Sequence, residues 1–183
     1  MSNFKDLEEF LSRQKMSEEE KKINWGIERD VFVNAVKSFY TKIEELLQPL
    51  SKKQLLTIEY VERYRVQEEY IGTYETPQMI IVFNGQRVTF TPVGTNIIGA
   101  YGRIDMQGMN GDVKFLWVPK NSDGPKISVT VTMANQPKPE RQVSQPVSPE
   151  DRSWKIATPP PRIKFIDLNE DSFSDALMGV LRG

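Results

Sequence analysis

The sequence predicts an α+β domain, with N-terminal helices and a C-terminal helix packed on one face of an antiparallel or mixed sheet of about six or seven strands. Three observations carry this. A helical apolar stripe runs through residues 27–50, hydrophobic runs and hairpin signals fill 55–134, and a short amphipathic segment closes the chain. Residues 1–134 therefore hold a helical region and the main sheet. Residues 135–150, with four prolines, read as a loop or linker, and residues 151–183 form a strand–helix tail that rejoins the same domain. One domain suffices for 183 residues.

Taken in order, Ser2 caps a first helix with Phe4, Leu7 and Leu11 on one face. Ser17 and Glu20 have capping-box spacing, in which hydroxyl and carboxylate satisfy orphan amides at a helix start. Asn24-Trp25-Gly26 should break or bend the helical segment there. Past that point, Ile27, Val31, Ala35, Phe39, Ile43, Leu46 and Leu50 share a stripe that Phe32, Val36 and Tyr40 widen, and Pro49 marks its end. Residues 55–71 are ambiguous. Ser51 and Gln54 match a capping box and Glu59 with Arg63 a helical pair, yet the stretch is rich in β-branched and aromatic residues. Tyr60, Tyr64, Val66 and Tyr70 share one parity, which decides for strand.

Met79–Phe83 is apolar on both faces and suits a central strand. Asn84-Gly85 supplies the two positive-φ positions of a type I′ hairpin turn, and the return strand turns Val88 and Phe90 inward and Arg87, Thr89 and Thr91 outward. Thr91-Pro92-Val93-Gly94 should turn the chain. Further strands are expected near 97–106, 112–118 and 126–133. The last of these alternates Ile127, Val129, Val131 and Met133 with serine and threonine, the mark of a sheet with one wet face. Trp154–Ala157 rejoins the core, and Ile163 with Phe165 makes a last strand. A final helix starts near Ser172, where Ser172 and Asp175 resemble a capping box, and buries Phe173, Leu177, Val180 and Leu181.

Composition narrows the chemistry. The chain has no histidine and no cysteine, so thiol redox, zinc–thiolate sites and histidine general-base catalysis are excluded. With 24 basic and 25 acidic residues, evenly spread, no region carries the cationic excess that phosphate neutralisation requires. Gly94, Gly99 and Gly102 lack the Gly-Lys-Ser/Thr ending of a phosphate loop and serve turns and bulges instead. Asp105–Asp112 places Asn110 and Leu116 where a calcium loop needs glycine and glutamate. No cofactor and no metal is expected. The start has no leader-like apolar run and no segment is long enough to span a membrane, so the expectation is a cytoplasmic protein without membrane contact.

The most suggestive grouping is aromatic and basic: Tyr60, Arg63, Tyr64 and Arg65 on one segment, Tyr101 and Arg103 on another. Tyrosine and arginine dominate binding hot spots, while the simpler account is a sheet face knit by cross-strand pairs. Nearby Glu59, Glu62, Glu68 and Glu69 repel phosphate, favouring a protein partner over nucleic acid. The leading expectation is a non-enzymatic protein-binding role, as regulator, adaptor or inhibitor, through a polar sheet face. The alternative is a small enzyme using carboxylate, lysine or tyrosine chemistry on a small polar ligand.

Overall fold

A computed structural model describes residues 4–126 and 146–182. The Ser2 cap, the strand expected near 126–133 and most of the 135–150 linker lie outside the described residues. In chain order the elements are helix α1 (Phe4–Lys52), strands β1 (Thr57–Glu68), β2 (Gly72–Phe83), β3 (Gln86–Gly94), β4 (Gly102–Gly108), β5 (Gly111–Pro119), β6 (Arg152–Ala157) and β7 (Phe165–Asp167), and helix α2 (Glu170–Arg182). The seven strands form one antiparallel sheet in sequence order. This is the α+β layout expected.

α1 departs from expectation in being a single helix. Asn24-Trp25-Gly26 does not interrupt it, because one interior glycine costs only about 1 kcal/mol relative to alanine and good helix formers flank it on both sides. Ser17 and Glu20 consequently lie inside the helix and cap nothing. The C-terminus also runs past Pro49. Gln54 adopts φ 57°, its amide donates to the carbonyl of Ser51 at 2.9 Å, and the amide of Leu55 donates to the carbonyl of Leu50 at 3.1 Å. That pattern is a Schellman stop, with Gln54 in the left-handed place usually given to glycine. Ser51 and Gln54 thus end a helix rather than begin one.

The buried stripe of α1 is Phe32, Ala35, Val36, Phe39, Tyr40, Ile43 and Leu47, while Ile27 and Leu50 are exposed. Ala35, Phe39 and Ile43 of the expected stripe are buried together with all three residues expected to widen it, Phe32, Val36 and Tyr40. Against it lie Met79, Ile81, Val88, Phe90, Ile104, Met106, Phe115 and Ile156, all on one face of the sheet. The Phe39 ring stands 4.9 Å from Phe115, 5.2 Å from Trp154 and 6.1 Å from Phe90. Two bonds pin the helix: Tyr40 Oη donates to the carbonyl of Phe90 at 3.0 Å, and Trp154 Nε1 to that of Ala35 at 3.1 Å. α2 packs on the same face through Phe173 and Val180. Its cap is Asn169, whose Oδ1 accepts from the Ser172 amide at 3.0 Å while Ser172 Oγ accepts from the Asn169 amide at 3.0 Å. Ser172 is thus the reciprocal third residue of the box, and Asp175 has no part in it.

Glycine lets the helices approach. A Cβ on Gly102 would lie 2.5 Å from the Phe32 ring, and one on Gly108 would lie 2.5 Å from the carbonyl oxygen of Val180. Asn84 (φ 47°) and Gly85 (φ 75°) form the expected turn. β3 does not turn at Pro92; a bulge between Pro92 and Gly94 accommodates the missing amide, and the strand continues to Gly94. β4 begins only at Gly102 and β7 spans three residues without Ile163.

Candidate functional site

The six residues singled out by sequence do not converge. Tyr60 and Tyr64 lie on the helix-facing side of β1, where both pack against the core. The Tyr60 ring meets Tyr40 at 5.8 Å, and its hydroxyl donates to Glu44 at 2.5 Å. Arg63 and Arg65 are exposed. Arg63 pairs with Glu75 on the neighbouring strand at 2.8 Å, which holds that carboxyl below the usual range. Arg103 makes two 2.6 Å bonds to Asp105, raising the guanidinium above its ordinary value. Tyr101 sits apart, at the entrance to β4. Tyr60, Tyr64 and Val66 share the helix side, as their common parity implies, across a register shift between Val61 and Tyr64; parity alone does not say which side that is.

The outer face of the sheet is largely self-satisfied. Arg87 pairs with Glu59 at 3.1 Å and Gln78 donates to Thr91 at 2.9 Å. At the β5–β7 end the chain folds over its own sheet: Lys155, 5% exposed, donates to the carbonyl of Ser122 at 2.8 Å and pairs with Asp167 at 2.9 Å. Val118 and Phe165 are buried as well.

Among the described residues two open features stand out. The first is the N-terminal part of α1, in which every residue from Phe4 to Asn24 is exposed. This arm is about 30 Å long at 1.5 Å per residue. Near its beginning Phe4, Leu7, Phe10 and Leu11 are 84%, 48%, 57% and 54% exposed. Phe4, Leu7 and Leu11 stand about ten helical turns before Tyr40, Ile43 and Leu47, so the arm repeats the core-facing stripe where there is no sheet beneath it. The first-turn spacing is legible in sequence; its exposure is not, because the expected break implies a separate helix free to fold back.

The second is a cleft of about 220 Å³ at the root of the arm, lined by Trp25 and Glu28 of α1, Glu69 and Tyr70 of the β1–β2 turn, and Tyr101 and its neighbours from the β3–β4 connection. Glu68 builds its frame. Its carboxylate accepts from the amides of Thr95 and Asn96, both at 2.8 Å, and from Tyr74 Oη at 2.5 Å. A Cβ on Gly94 (φ 138°) would fall 2.5 Å from that carboxyl carbon. Behind Tyr101, Arg152 lays its guanidinium 3.6 Å from the ring centroid and 4.9 Å from that of Trp117. Arg152 Nε donates to the carbonyl of Val147 at 2.8 Å. Sequence reasoning does not find Glu68 or Arg152 as architects of this corner; both sit in charged stretches that look solvated.

Among the described residues no three carboxylates converge to hold a metal, and no helix is long and apolar enough to cross a membrane. The fold and its open features define an antiparallel meander sheet carrying two helices on one face, one of them extended into a free arm. Comparison with protein-family models, curated proteins and solved structures returns no match for this chain.

Proposed function

We propose that this chain is a non-enzymatic protein-binding protein that engages its partner through the helical arm. The observation that carries this is the exposed patch of Phe4, Leu7, Phe10 and Leu11. Its spacing is that of an amphipathic helix seated in an apolar groove, where residues at i, i+3, i+4 and i+7 act as anchors. The occupant is such a groove on a different protein. The helix stripe turns polar at Gln14, Glu18 and Lys21, too soon for the three to four heptads that a self-paired coiled coil sustains. Around the patch Lys5, Arg13 and Lys15 are matched by Asp6, Glu8 and Glu9. A helix of balanced charge has little attraction for an anionic membrane surface. The outer sheet face, where Arg63, Arg87, Arg103 and Lys155 are already paired, is the weaker candidate.

The test compares tagged wild-type chain with Leu7→Asp/Leu11→Asp under gentle purification, followed by cross-linking mass spectrometry. A stoichiometric partner cross-linked to residues 4–15 and lost from the variant is expected. A wild-type chain that elutes alone, or the same protein recovered equally by both, would sink the reading.

A further inference from the structure

We propose that the cleft at the root of the arm is a binding site for an alkylammonium cation. Trp25 and Tyr70 form one wall, their ring centroids 5.4 Å apart and their planes tilted by 33°. Tyr101, Glu28 and Glu69 line the same cleft. Aromatic faces attract cations through the negative face of the ring quadrupole, and tryptophan does so best. The two carboxylates accept the N–H bonds of an ammonium group and repel anions. A neutral apolar guest would strip water from the Glu69 carboxylate without compensation.

The local charges answer this demand at Glu28 and leave it open at Glu69. Arg152, its side chain only 2% exposed, pairs with the Glu28 carboxylate at 3.7 Å. It lies over the Tyr101 ring, so it stiffens that wall instead of filling the space. Glu69 has no charged partner among the described residues. Tyr70 is held at φ 71°, a left-handed conformation that bulky side chains rarely adopt. That conformation belongs to the turn that sets its ring against Trp25. The guest is a free amine or the lysine side chain of another chain, two sources of one chemistry. Cation binding in the cleft is independent of the role of the arm.

The experiment tracks the indole N–H resonance of Trp25, assigned with Trp25→Phe, during titration at constant ionic strength. The probes are butylammonium chloride, N-acetyl-lysine methylamide and, as neutral control, 1-butanol. Saturable shifts with a dissociation constant of about 1 mM are expected for the cations and none for the alcohol. Glu69→Gln and Tyr70→Ala, both at exposed positions, should each weaken binding by about fivefold with unchanged far-UV circular dichroism. Tighter binding of the lysine derivative identifies a protein lysine as the guest; equal or tighter binding of butylammonium identifies a free amine. Shifts that do not saturate, that the alcohol reproduces, or that persist undiminished in both variants overturn the proposal.

Discussion

At the scale of single residues, the structure turns on positions where a side chain is absent or its backbone is unusual. Gly102 lets the Phe32 ring lie directly on β4, and a methyl group there would overlap ring carbons at 2.5 Å. Phe32 is fully buried, with no space to retreat. Gly102→Ala is therefore expected to destabilise by about 2 kcal/mol, read as a lower urea midpoint at unchanged slope. Gln54 gives the opposite sign. It holds φ 57° at the Schellman stop, and a left-handed conformation costs a residue with a Cβ about 1–2 kcal/mol. Gln54→Gly relieves that cost and loses part of the gain to unfolded-chain entropy, so the midpoint should rise by an equivalent of about 0.5 kcal/mol. Neither effect is visible in sequence. Gly102 looks like a strand glycine, and Gln54 looks like the partner of Ser51 in a helix start.

Among the elements, most of the sheet is legible in advance because its local signals agree. Asn84-Gly85 fixes a hairpin, and Val88 and Phe90 then face the core by parity. What escapes is continuity. Gly26 costs α1 too little to break it, and a bulge absorbs Pro92 where a strand end is expected. The six-residue aromatic and basic grouping disperses for a related reason: sequence parity places residues on common sides but does not name the side that helices cover. α1 itself contains two energetic regimes. Phe39 packs against four aromatic rings, so Phe39→Ala should cost about 3–5 kcal/mol. Leu7→Asp, on the exposed arm, should leave the thermal midpoint within the equivalent of about 0.5 kcal/mol of wild type. Thermal unfolding of the two variants side by side checks both. A large loss from Leu7→Asp would show that the arm folds back on the body.

For the molecule as a whole, the response to alkaline pH is set by tyrosines. Burial raises the phenols of Tyr40, Tyr60 and Tyr74 above their ordinary value, and hydrogen bonds donated to Glu44 and Glu68 raise Tyr60 and Tyr74 further. In each case the folded state favours the neutral phenol more than the unfolded state does. Their contribution to stability is thus fully present below about pH 10, where free tyrosine ionises. It is lost as pH rises beyond that point, because the unfolded chain releases protons that the folded chain retains. Tyr60 is half-exposed and contributes least. Urea midpoints should fall steeply above about pH 10. Tyrosinate absorbance near 295 nm (about the phenolate maximum) should show Tyr40 and Tyr74 ionising only with unfolding. Midpoints that stay flat to about pH 11 would contradict this.

Because no break separates the arm from the body of α1, the two keep a fixed rotational phase. Inserting one residue among 14–22 would swing the leading apolar anchors by about 100° around the axis, whereas a seven-residue insertion restores their bearing to within about 20° and moves them about 10 Å farther out. A ligand spanning the arm and the sheet's end would tolerate neither change. One gripping the tip alone would be indifferent to both, so the helix doubles as a ruler for the footprint of whatever it meets.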